Sequence, residues 1–250
     1  MIRTEFEQRS LSNTQLYGQL LAGGYAMNDV AKVRDAYQLA SSLFAAQLRP
    51  DGRPFVCHLV GVASLLAILE ATPDTVLAGL LHSAYTHGDF GFGRGRLTGG
   101  VRERLSATVG AQAERVVFLY SHRPWNPSTV SDWIGRAGAL DVDERQIVLI
   151  RLADTVEDAL DFGLQLCAKL ENPHRAISPD SLSKLAIELG YPRLGGTLRQ
   201  VLLEDSSSTG LDTLRETHRG SYIVCPSSWR EKMLPRFVRL ARRIRWGGGD

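Results

Sequence analysis

Residues 72–88 read Thr72-Pro73-Asp74-Thr75-Val76-Leu77-Ala78-Gly79-Leu80-Leu81-His82-Ser83-Ala84-Tyr85-Thr86-His87-Gly88, and the fold turns on how they are taken. Proline at the first helical position with an acid in the first turn is a helix start, and Gly88 is a stop. The spacing predicts a helix over 73–87 whose apolar run, Val76 to Leu81, carries a histidine at its end.

Working outward, helices are expected nearly everywhere. Asn28-Asp29 is read as the cap of an amphipathic helix over 29–47, with Val33, Ala36, Tyr37, Ala40, Leu43 and Phe44 at helical spacing. Arg49-Pro50-Asp51-Gly52-Arg53-Pro54 has the composition of a turn, after which His58 opens a helix over 58–70. Residues 88–100 are rich in glycine and read as a mobile loop. Shorter helices fill 100–120, and Pro124 and Pro127 break the chain. A long helix follows from about Asp143 to Lys169; another, capped by Ser178-Pro179, closes at Gly190. Asp205–Gly210 has linker composition, and Ser221–Cys225 is the best strand candidate. These readings give an all-α class in three parts: an N-terminal helix or arm (1–27), a helical domain (28–170) and a C-terminal helical extension (171–250).

With 250 residues, 44% apolar and 22% charged, the chain can bury a full core without staples. Three cysteines, odd in number and widely spaced, exclude a disulfide framework. Twenty-nine basic against 27 acidic residues leave +2, which does not imply a nucleic-acid binder. No run reaches transmembrane length and the N-terminus lacks a signal-peptide core, so a cytoplasmic setting is expected. The last segment is more uneven. Met233, Phe237, Leu240 and Ile244 form a stripe among seven Lys and Arg residues from Arg230 to Arg245. Such a basic helix could meet an anionic partner, or simply dock by its apolar side.

Three polar residues stand in apolar surroundings: His58, His82 and Asp154, the last within Ile150-Arg151-Leu152-Ala153-Asp154. Each alone has a bland explanation as a satisfied core group or a solvated one. Arg151, Asp154, Asp158 and Asp161 share one helix face, which a solvated face would also show. Gly91-Phe92-Gly93-Arg94-Gly95-Arg96 lacks the strand and lysine of a phosphate loop; it reads as a flap whose Arg94 and Arg96 could touch an anionic substrate. Ser121-His122-Arg123 reads as a loop histidine rather than a further ligand.

The order of these features resembles the HD-domain superfamily, and within it the alarmone hydrolases of the RelA/SpoT type. The resemblance runs from Val33 to Asp161. It is carried by Ala36-Tyr37-Gln38-Leu39-Ala40, by Gln47 to His58 (QLRPDGRPFVCH), by Val62-Ala63-Ser64-Leu65-Leu66, by Ala78-Gly79-Leu80-Leu81-His82 and by Arg151-Leu152-Ala153-Asp154. It implies an HD-like helical bundle around a divalent metal ion (Mn, Fe or Zn), with His58, His82 and Asp154 matching three ligands. Arg49 matches the arginine that packs on a guanine base.

The departures concern the chemistry. Ser83 stands where the family has its fourth ligand, an aspartate, so an ion would lose one unit of compensating charge and affinity should fall. Thr86-His87 replaces the Glu-Asp pair that supports water activation, Asp158 replaces an asparagine, and Phe44 replaces a histidine. His87 and Asp89 are the nearby groups that could relay protons, or they could merely end the helix; Asp158 could restore some negative charge.

Two functions are therefore expected to compete. The first is a metal-dependent hydrolase of a phosphorylated or nucleotide-like small molecule. Its ion would be held by His58, His82 and Asp154, its catalytic groups would be His87, Asp89 and Asp158, and its substrate would meet Arg49, Arg94, Arg96 and Arg151. The second is a catalytically inactive HD-like module that binds a ligand or a protein. A di-iron oxygenase ranks last, since it needs a bridging aspartate where Ser83 stands.

Overall fold

The computed structural model describes residues 5–91, 98–160, 166, 176–207, 212–214 and 220–224. Arg94, Arg96, Asp161 and the basic C-terminal stretch lie outside the described residues. The architecture is all-α. In chain order the elements are α1 (Asn13–Ala22), α2 (Met27–Leu43), β1 (Gln47–Leu48), α3 (Phe55–Ile68), α4 (Pro73–Leu81), α5 (Ala84–His87), α6 (Gly99–Val109), α7 (Ala111–His122), α8 (Pro127–Gly135), α9 (Val142–Ala159), α10 (Pro179–Glu188), α11 (Pro192–Ser207) and β2 (Tyr222–Ile223). Among the described residues no helix is long and apolar enough to cross a membrane.

The centre is the trio α3, α4 and α9, each packed on the other two. Helix α4 is buried along its whole middle, Thr75 to Leu81, and α3 from His58 to Leu66. Two helices so apolar on every side belong in the interior, enclosed by α2, α7 and α1. Gly79 permits the close approach of α3 and α4: a Cβ there would stand 2.2 Å from Leu66 Cδ1. Helices α10 and α11 pair with each other and lean on α8 and α9.

Capping chemistry sets several boundaries. Thr72 accepts from the Thr75 amide ahead of Pro73, and Ser178 accepts from Ser181 ahead of Pro179. Asp141 and Glu144 form a reciprocal capping box at the start of α9. Four helices depart from the sequence reading at their boundaries. The helix expected over 73–87 breaks at His82-Ser83, where the His82 amide bonds back three residues to Gly79 and Ser83 leaves helical geometry (φ −90°, ψ 2°). Helix α2 begins at Met27 rather than at an Asn28-Asp29 cap and stops at Leu43; Ala46 takes a left-handed φ of 56°, and the next residues form β1 instead. Helix α3 starts at Phe55, so His58 lies within its first turn. Helix α9 ends at Ala159, where Leu160 turns extended.

The strand read from Ser221–Cys225 exists as β2. It pairs antiparallel with β1, Gln47 facing Ile223 and Leu48 facing Tyr222. The Val224 amide adds a bond to Ala46 O at 3.0 Å, and Gln47 Nε2 donates to Ser221 Oγ at 3.1 Å. A segment from late in the chain is thereby tied beside Arg49.

Candidate metal centre

Helix α3 supplies His58 from its first turn, the break after α4 supplies His82, and the middle of α9 supplies Asp154. All three are interior, at 0%, 2% and 6% exposure. His58 Nε2 lies 3.4 Å from His82 Nε2 and 3.3 Å from Asp154 Oδ1, and His82 Nε2 lies 3.6 Å from that same oxygen. Ligand atoms bonded at about 2.1 Å to one tetrahedral ion stand roughly 3.4 Å apart, so the triangle has the size such an ion sets.

The other polar atom of each side chain is engaged. His82 Nδ1 donates to Gly79 O at 2.7 Å, which directs the lone pair of Nε2 at the triangle. Burial pulls the His82 imidazolium down to about 4, so the ring is neutral near pH 7. His58 turns Nδ1 to the Glu157 carboxylate in a short contact, which turns Nε2 toward the triangle. Burial and Arg49 push the His58 imidazolium down, but Glu157 and Asp154 outweigh them and its pKa is raised. Tyr120 donates to Asp154 Oδ2 at 2.7 Å. Burial, then Asp154, hold that phenol well above its ordinary value, so it stays a donor. The donor set is two imidazoles and one carboxylate, which suits a divalent transition metal.

A second cluster, His58 with Glu157 and Asp158, also brings donor atoms together, but cations already serve its acids. Arg49 pairs with Asp158, Arg53 Nη1 reaches Glu157 Oε1 at 2.8 Å, and the buried Arg9 reaches it at 3.4 Å. Burial alone would raise the Glu157 carboxyl, yet His58, Arg53 and Arg9 hold it down at about 2. Three guanidiniums leave a cation little to gain there.

A cavity of about 350 Å³ opens above the triangle. Of the residues singled out in the sequence, Arg49, His58, His82, His87, Arg151, Asp154 and Asp158 all face it, as does Ser83. Their engagements differ. His87 is exposed, with its ring 5.5 Å from that of Phe55 and Nδ1 2.8 Å from Thr86 Oγ1. Asp89 is not in the cavity wall; its carboxylate accepts from the Gly91 amide at 2.8 Å and shapes the loop. Arg151 lies over the Tyr120 ring at 3.7 Å and donates to the carbonyls of Tyr120 and Arg123. Phe44 stacks on Phe55 at 4.6 Å. His122 lies not in a loop but at the end of α7, where it packs on Phe118 and bonds its carbonyl one turn back.

The acidic face of α9 is not solvated: Asp154 and Asp158 are buried. Sequence reasoning passed over Glu157 and Tyr120. Glu157 falls three residues after Asp154 and one before Asp158, so its helical register was available; its partners Arg9 and Arg53 come from distant segments, which the register does not show. Tyr120 carried no signal, since its role depends on α7 crossing α9.

Residues 39–124 match a family described as a domain of unknown function, DUF6817. Short segments are similar to proteins of the RelA/SpoT group. A bifunctional (p)ppGpp synthase/hydrolase RelA of Mycobacterium tuberculosis is 38% identical over 58 residues, 23% of this chain and 8% of that protein. A GTP pyrophosphokinase of Streptomyces antibioticus is 34% identical over 127 residues, 51% of this chain and 14% of that protein. A bifunctional (p)ppGpp synthase/hydrolase SpoT of Escherichia coli is 33% identical over 64 residues, 26% of this chain and 9% of that protein. The chain thus spans a small fraction of these relatives' length.

Proposed function

We propose that this chain is a metal-dependent phosphohydrolase of HD type, acting in the cytoplasm on a phosphorylated or nucleotide-like small molecule. The observation that carries the reading is the buried triangle of two imidazole nitrogens and one carboxylate oxygen, sized for one ion and open to a cavity. His58, His82 and Asp154 hold the ion, and Tyr120 occupies the second oxygen of Asp154 so that the first stays directed inward. A divalent ion bound there supplies a Lewis acid for phosphoryl oxygens and acidifies water.

His87, exposed at the cavity edge, is the proton carrier. Arg49 is held beside the ligands by Asp158 and offers its remaining donors to phosphate or base. Arg151, bound to Tyr120, keeps that wall in place and adds positive charge to it. Arg94 and Arg96 follow α5 in sequence and belong to the same substrate-binding set.

Metal analysis tests this directly. Protein prepared without chelator is expected to carry about one transition-metal ion per chain, and His82→Ala to lose it. A metal-free wild type that also fails to take up Zn2+ or Mn2+ overturns the reading. Phosphate release, screened over nucleotides and phosphomonoesters with metal-loaded protein, tests turnover; bound metal with no release across the screen favours an inactive ligand-binding module.

A further inference from the structure

Glu157 is fully buried, yet three partners converge on it: His58 Nδ1, Arg53 and Arg9. Its seat is the surface of α3 at Gly61, one turn beyond His58. A Cβ at Gly61 would stand 2.8 Å from Glu157 Cγ and 2.9 Å from Oε1, so the carboxylate lies where only a glycine leaves room. The same helix pair therefore brings in the ligand His58 and the recess for the acid that grips it.

We infer that Glu157, seated on Gly61 and held by Arg9 and Arg53, is the positioning residue that fixes the ring orientation and tautomer of His58 for metal binding. The inference rests on the proposed metal site and deepens it. A histidine ring free to flip offers either nitrogen. An anion fixed at Nδ1 keeps the proton there, points the Nε2 lone pair at His82 and Asp154, and makes that nitrogen a stronger donor. The two arginines keep Glu157 an anion in the interior, which an isolated carboxylate would not tolerate. Glu157 touches neither the triangle's centre nor the cavity, so it acts through His58.

Histidine spectra of the Zn2+-loaded, 15N-labelled wild type test this without any substitution. His58 is expected to carry its proton on Nδ1 with Nε2 on the metal; metal on Nδ1 overturns the inference. Co2+ titration of two variants gives the second arm. Glu157→Gln removes the charge at constant shape, and Gly61→Ala leaves Glu157 in the chain but takes its seat. Alanine favours a helix over glycine, so weaker binding in Gly61→Ala cannot come from a poorer helix. Each is expected to lose about 10- to 100-fold in Co2+ affinity and to alter the Co2+ absorption bands. Binding by either folded variant within about twofold of wild type overturns the role of Glu157 while the metal site stands. A wild type that takes no Co2+ or Zn2+ overturns both.

Discussion

Tyr120 accounts for one oxygen of Asp154 and leaves the other to the two imidazoles. Tyr120→Phe keeps the ring on which Arg151 lies but deletes the donor. It is expected to weaken metal binding by about tenfold, read by Zn2+ competition, with little change in the circular dichroism of the helices. Unchanged affinity would mean that Asp154 needs no help to hold its angle. Away from the triangle, Glu114 is one of the carboxylates that add acid sensitivity. Its carboxylate accepts from Tyr85 at 2.7 Å and from Arg102 at 2.7 and 2.8 Å. Burial alone would raise the Glu114 carboxyl, but Arg102 and Tyr85 hold it below the usual range. A depressed carboxyl contributes stability in full above its unfolded pKa, near 4.3, and that contribution is lost as pH falls below it. Glu114→Gln is therefore expected to flatten the acid side of a urea-midpoint-against-pH curve. An equally steep acid limb in the variant places the sensitivity in other acids.

At the scale of elements, the α3–α4 contact is the closest in the bundle to a test of packing alone. Gly79→Ala drives a methyl into Leu66, and overpacking of this kind costs about 1–3 kcal/mol, measured as a lower urea midpoint. An unchanged midpoint would mean that the two helices separate freely. Local chemistry made much of this layer legible. Pro73 and Pro179 announced helix starts because their missing donor is spare at that position, and the run Ser221–Cys225 announced a strand, found at Tyr222–Ile223. That His58, His82 and Asp154 come together was legible through the phrases around them, since each alone fits a satisfied core or solvated group. What the sequence could not carry was tertiary. The break after Leu81 follows from the His82 bond to Gly79, and β1 replaces the expected end of α2 because residues 222–223 arrive to pair with it. Helical period on α9 placed Asp154 and Asp158 on one side; only the arginines of other segments reveal how Asp158 and its neighbour Glu157 are held inside.

At the scale of the whole molecule, segments far apart in the chain meet at the cavity. Gly220 and Ser221 stand in its wall, and the bond from Gln47 to Ser221 links positions 174 apart in sequence. Closing so long a chain segment costs several kcal/mol of entropy, with each backbone bond returning about 1 kcal/mol. The short β1–β2 ladder therefore forms after the helices have already brought its halves near each other, and is among the first contacts to part. Hydrogen exchange is the check: the Val224 amide, though bonded to Ala46, is expected to exchange far sooner than the amides of α3. Exchange of both at one rate would mean that the ladder opens only with global unfolding. During synthesis the same order holds. His58, His82 and Asp154 leave the ribosome well before Ser221, so a nascent bundle would bring those three side chains together with the doorway still wide, and the threshold would be laid last.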